Sequence, residues 1–168
     1  MRQDGGKWKE LTGWAFLEGH WLRRRHFGPV ALERIAGRIA AGEQGHTGEL
    51  MVAIEAVSPA HERQSHRRAL EVFGRLRVWD TPRNTGVLLY IALDRHRIEL
   101  IADRGIAAPA TAWQAVCGRL ESRLQHGDYL AGVLDAVSDI EQLLAVYSPP
   151  LMAGESNGND LPDQPVML

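Results

Sequence analysis

Seven consecutive apolar residues, Val87-Leu88-Leu89-Tyr90-Ile91-Ala92-Leu93, stand between two groups of turn formers. Asp80, Pro82, Asn84 and Gly86 precede the run, and Asp94-Arg95-His96 follows it. The run is far shorter than the roughly 20 apolar residues a membrane-spanning helix needs. An apolar run of this length between turn signals reads as a strand buried on both faces. Such a strand lies inside a sheet with helices packed on each side. The rest of the chain has to supply its neighbours and those two covering layers.

The flanking segments supply both. Glu49 to Val57 reads as a strand with Leu50, Val52, Ile54 and Ala56 on one face and Met51, Ala53 and Val57 on the other. Ser58-Pro59 opens a helix that turns Ala69, Val72, Phe73 and Leu76 inward and Arg67, Arg68, Glu71 and Arg75 outward. Strand, helix and strand form a βαβ crossover, which makes the two strands parallel. After the turn at Asp94-Arg95-His96, Ile98, Leu100 and Ala102 alternate as a hairpin partner. Pro109 starts a helix with Trp113, Val116, Cys117, Leu120 and Leu124 on one face. Gly127 stops it, and Asp128 heads a last helix carrying Leu130, Val133, Leu134, Val137 and Leu144. The expected fold is α/β: a three-layer α/β/α sandwich with a short mixed β-sheet, a βαβ crossover, a hairpin and two C-terminal helices. A fourth, edge strand has room near Asp103 to Ala108 or is absent.

The order of elements divides the chain into three parts. Residues 1-27 form a Trp/Arg-rich helical segment, residues 28-147 the α/β domain, and residues 148-168 a tail. Pro149-Pro150 and the Gly, Ser, Asn, Asp and Pro that follow predict that the tail is disordered. A chain of 168 residues with 45% hydrophobic residues can bury a core without disulfides. Cys117 is the only cysteine, which excludes an internal disulfide and a multi-cysteine metal centre. A net charge of -2 offers no field for nucleic acid, so no nucleic-acid partner is expected. The opening segment, with Lys7, Lys9 and Glu10, lacks the apolar stretch of a signal peptide. The expected location is cytoplasmic, peripheral to the membrane if the first segment docks there.

Three stretches in order resemble the TPM-domain family. Thr47-Gly48-Glu49-Leu50 leads into the first strand. Trp79-Asp80 is followed by Asn84-Thr85-Gly86-Val87-Leu88-Leu89 and by a hairpin with Arg97-Ile98-Glu99-Leu100. Asp103-Arg104-Gly105-Ile106 comes next, then Gly127-Asp128-Tyr129 and Gly132-Val133-Leu134. The resemblance implies a three-layer α/β/α fold. Members of the family act in photosystem II repair in the thylakoid lumen or in bacterial envelopes. The resemblance therefore implies candidate activities: acid phosphatase chemistry, calcium binding, and association with membrane proteins of the LemA type. Asn84-Thr85-Gly86 stands where many members have Asp-Asn-Gly, one carboxylate fewer.

The residues themselves offer three candidate groupings. Loops at one end of the sheet could bring Asp80, Asn84 and Asp103 together. Two carboxylates and an amide are hard oxygen donors suited to calcium or magnesium. Asp80 or Asp103 would then be the catalytic group of a divalent-cation-dependent phosphatase, or the same donors would serve a cation or small-ligand sensor. Alternatively Asp80 and Asn84 only shape the turn. The second site is the N-terminal helix. Trp14, Leu17 and Trp21 share a face beside Arg23, Arg24 and Arg25, as suits a membrane surface or a protein partner. The same face could instead cap the domain's own core. Glu43, His46 and Glu49 form a third grouping, read either as a zinc-like chelate or as a helix terminus with His46 at the negative end of the dipole. No nucleophile elbow and no phosphate-binding glycine loop with a lysine is present. The favoured reading is a non-enzymatic interaction module that works with a membrane-protein partner.

Overall fold

The computed structural model describes residues 14–152, 154 and 158–168. Its elements are α1 (Trp14–His26), α2 (Pro29–Gly42) followed by a 3-10 turn at Glu43–Gly45, β1 (Glu49–Glu55), α3 (Ser65–Arg75), β2 (Gly86–Ala92), β3 (Arg97–Ala102), α4 (Ala110–Gln125), α5 (Tyr129–Tyr147) and β4 (Val166–Met167). The strands order as β3-β2-β1-β4. β1 and β2 are parallel with Glu49 opposite Gly86, and β2 and β3 are antiparallel with Val87 opposite Ala102. The apolar run is the buried inner strand that its composition predicts, since every residue of β2 is buried.

Period-two alternation sorts the strands between two layers. Leu50, Val52, Ile54, Val87, Leu89 and Ile91 pack against α2, α4 and α5 through Ile35, Ile39, Val116, Leu120, Val133, Val137 and Ile140. Met51, Ala53, Leu88, Tyr90 and Ala92 pack on the opposite side against Ala69 and Val72 of α3. The three-layer α/β/α sandwich is therefore the observed architecture. α4 stops in a paired-bond motif: Asp128 N–H reaches the Arg123 carbonyl at 3.0 Å and Gly127 N–H the Leu124 carbonyl at 3.0 Å. Gly127 sits at φ 84, the left-handed conformation that such an ending requires.

Four expectations are corrected. The helix after β1 begins at Ser65, not at Ser58-Pro59. Residues 59 to 64 form a loop because Arg95 donates from its guanidinium to the carbonyls of Glu62 (2.9 Å) and Pro59 (3.3 Å) and holds it there. Arg68 is buried rather than outward-facing, because Glu55 lies beneath α3 and pairs with it at 2.6 Å. The C-terminal tail is not simply disordered, and the fourth strand is not near Asp103. Val166–Met167 pairs in parallel with Ala53–Ile54, and Leu168 N–H donates to the Ile54 carbonyl at 2.9 Å. Val166 and Leu168 meet the α3 layer while Met167 meets the α2 and α5 layer. A strand this short is below the reach of any periodicity, but it covers the open edge of β1.

Candidate functional site

The amino end of the parallel pair is built by two loops. Asp103 N–H donates to the Gly86 carbonyl at 2.9 Å, so the exit of β3 lies against the entry of β2. Gly105 N–H then donates to the Asn84 carbonyl at 2.8 Å. A side chain on Gly105 would collide with the carbonyls of Arg83 and Asn84, so glycine permits this approach. Asn84 itself sits at φ 55, a conformation asparagine tolerates in turns. The fold thus brings Asn84 and Asp103 to one place. Asp103 Oδ1 accepts the Arg104 N–H at 2.7 Å, and its Oδ2 is buried without a hydrogen-bond partner. Asn84 Oδ1 accepts from the Arg104 guanidinium at 3.4 Å. Asp80 is exposed on the preceding turn, its N–H bonded to the Arg77 carbonyl at 2.9 Å.

A calcium or magnesium ion needs six or more oxygen donors with little positive charge nearby. Here a guanidinium already engages one of the two donors that meet. Among the described residues no three His, Cys, Asp or Glu side chains are grouped so as to hold a metal ion. The residues present do not by themselves make a cation cage.

Glu43, His46 and Glu49 gather at the same end, but deeper. All three are buried, and Glu141 of α5 joins them. His46 Nδ1 accepts the Gly48 N–H at 3.1 Å, so Nε2 carries the proton and donates to Glu141 Oε2 at 2.8 Å. Both ring nitrogens are occupied, which leaves neither for a metal. His46 stands at the end of the 3-10 turn that follows α2, and its ring is also tied to α5 through Glu141. Glu43 Oε1 accepts the Leu50 N–H at 3.0 Å, and Glu49 Oε2 accepts the Leu161 N–H at 3.3 Å. Burial pushes the Glu43 carboxyl up to about 9, and Glu49, Glu141 and Asp163 nearby push in the same direction. Burial likewise raises Glu141 above the ordinary range. The cluster is a proton-holding joint between α2, β1, α5 and the C-terminal segment. Glu141 and Asp163 lie far along the chain from Glu43, which hid their part in it.

The carboxyl end of the strands is covered by α1. A side chain on Gly19 would collide with the Ala56 carbonyl, just beyond β1, so the helix lies directly on that edge. Ala15 and Leu22 are buried on the same side, and Glu18 meets His96 of the β2–β3 turn at 3.2 Å. His26 stacks on Tyr129 with centroids 4.4 Å apart. The other side of α1 faces away from the protein. Phe16 is 52% exposed, Leu17 64% and Trp21 55%. Arg24 and Arg25 are exposed beside them, Arg23 is half-buried, and the Arg25 guanidinium lies 5.2 Å from the Trp21 ring centroid. Leu17 and Trp21 therefore do not cap the core. The side chain of Trp14, and residues 1–13, lie outside the described residues.

The remaining titratable candidates are plain. His61 and His66 are exposed beside Glu71 and Glu99, each at 3.3 Å. Burial, with Glu99 and Glu121 nearby, pushes the Cys117 thiol up to about 11, which disfavours the thiolate a nucleophile needs.

Comparison with known proteins follows the same outline. The family model of the TPM domain matches residues 27–143. The fold is similar to the NMR structure of the BA42 protein from the psychrophilic bacterium Bizionia argentinensis, with 22% identity and a TM-score of 0.73. That match covers 84% of this chain and 94% of BA42. It is also similar to the solution NMR structure of the N-terminal domain of a protein from P. gingivalis, with 19% identity and a TM-score of 0.59, over 76% of this chain and 83% of that one. No curated protein matches the sequence. Among the described residues no helix is long and apolar enough to cross a membrane.

Proposed function

The chain belongs to the TPM domain family, and from that premise we propose that it is a non-enzymatic docking module whose working surface is the outer side of α1. The carrying observation is the concentration of Phe16, Leu17 and Trp21, all more than half exposed, beside Arg24 and Arg25 on one helix. Large apolar side chains left together in water mark an interaction surface, and Trp and Arg are the residues that most often dominate binding energy. The adjacent guanidiniums select a partner that offers carboxylates around an apolar patch. A membrane-anchored protein of the LemA type is the proposed partner, reached from the cytoplasmic side. The amino-edge loops support this choice by contrast, because Arg104 occupies Asn84 and Asp80 stands apart in solvent.

The test is capture of a LemA-type protein by the full chain and by a Phe16→Ser/Trp21→Ser variant. The variant should keep the native melting temperature and lose capture. Equal capture by both chains would contradict the reading. The second reading is a cation-dependent acid phosphatase, favoured by one observation, the buried and unpartnered Oδ2 of Asp103. It predicts phosphate-ester hydrolysis that needs calcium or magnesium and falls with Asp103→Asn.

A further inference from the structure

A cleft opens where α1, the β2–β3 turn and the α4–α5 junction meet. One hollow of about 280 Å³ is walled by Ile91, Leu93, Ile98 and Leu124, with Arg95, Arg97 and Glu121 among its polar lining. A second of about 410 Å³ continues it beneath α1, past Trp21, Arg25 and His26. His96, Leu124, Gln125 and Tyr129 line both, so the two are one cleft. It sits at the carboxyl end of β2, the end at which open α/β sheets receive ligands. Its size falls in the range of small-molecule sites.

The charge of the lining runs against that of the whole chain. The chain carries -2, yet the lining holds three guanidiniums and one carboxylate, with Glu18 paired to His96 beside it. Arg95 is committed to two carbonyls of the 59–64 loop. Arg97 is exposed at the start of β3, and Arg25 rests on the Trp21 ring. Apolar walls and a guanidinium in each hollow, Arg97 in the first and Arg25 in the second, match a molecule with an apolar body and an anionic end.

We propose that this cleft binds a small amphiphilic anion, with a carboxylate or phosphate held by Arg97 and Arg25 and an apolar body lying against Leu93, Ile98, Leu124 and Tyr129. The cleft shares Trp21 and Arg25 with the docking face, whereas Phe16 and Leu17 belong to the docking face alone. Octanoate is the probe, followed by two-dimensional NMR on the full chain, with octanol as the uncharged control. Octanoate should shift the signals of His96, Arg97, Leu124 and Tyr129 at millimolar concentration, and octanol should bind about tenfold more weakly, the cost of one charged hydrogen bond. Arg97→Gln with Arg25→Gln should weaken octanoate by at least that factor, and Glu121→Gln should strengthen it. Phe16→Ser/Leu17→Ser should leave octanoate binding intact while abolishing partner capture, which separates failure of the cleft from failure of the docking face. Absence of shifts, equal binding of octanol, or indifference to the two arginine substitutions would each overturn the assignment.

Discussion

The imidazole of His26 lies stacked on the phenol ring of Tyr129, centroids 4.4 Å apart and planes 25° inclined, while Phe27 meets the same ring edge-on at 6.2 Å. The last residue of α1 and the first after it therefore grip the head of α5 from two sides. This makes α1 part of the domain rather than an appendage. Tyr129→Ala should cost about 3 kcal/mol by urea unfolding, as other aromatic truncations in cores do. A cost below 1 kcal/mol would show that α1 is held elsewhere. Tests of the outer side of α1 accordingly need point substitutions, since removing the helix removes part of the core.

Arg68 and Glu55 are both buried and joined by two hydrogen bonds of 2.6 and 3.1 Å, and the Tyr90 hydroxyl donates to the same carboxylate. Arg68→Met would strand a buried charge and should cost about 3–5 kcal/mol. The double variant with Glu55→Leu should recover part of that loss. Denaturant midpoints of the two single variants and the double variant give the coupling directly.

Glu43 holds its proton up to about 9, against an ordinary value of 4.5, chiefly because it is buried. In the unfolded chain the carboxyl ionises at the ordinary value. Between the two values the folded protein binds a proton that the unfolded chain does not. Stability from this group is therefore full below 4.5 and declines as pH rises toward 9. Glu141 is raised in the same direction and adds to the slope. Glu43→Gln keeps an acceptor for the Leu50 N–H and removes the titration. Its melting temperature should match the parent near pH 5 and exceed it near pH 9. A parallel loss in both proteins would place the titrating group elsewhere.

β4 closes the edge of β1 with two residue pairs, and Leu161 is buried against the α3 layer. Removing residues 158–168 exposes that edge. The shortened chain should melt several degrees lower and self-associate on light scattering, as unprotected edges do. A monomer of unchanged stability would show that the strand is dispensable.

Most of the fold was legible because it rests on local patterns. The run Val87–Leu93, the alternation in β1 and the stop at Gly127 each announce their element within a few residues. Contacts that join distant segments were not legible. Arg68 reads as a surface residue on α3 because nothing near it in sequence predicts the buried carboxylate of Glu55. Glu43, His46 and Glu49 read as a chelate or a helix end because Glu141 arrives from a helix 95 residues beyond His46. Val166–Met167 follows a polar, proline-rich stretch and offers too few residues to alternate. At the candidate site the nearness of Asn84 and Asp103 followed from topology, but the separation of Asp80 did not, and the spacing of the α1 stripe left open whether it faced the core or solvent. The cleft beneath α1 was not legible, because it is lined from five separate elements, α1, β2, β3, α4 and α5.

α1, not the amino-edge loops, is the surface proposed to meet a partner. Two side-chain signals separate these directly in one NMR titration with the soluble part of a LemA-type protein. The Trp21 indole N–H reports on α1 and the Asn84 amide group on the loops. The Trp21 signal should shift to saturation while the Asn84 signal stays in place, as docking on α1 requires. A shift confined to Asn84, with Trp21 unmoved, would contradict it.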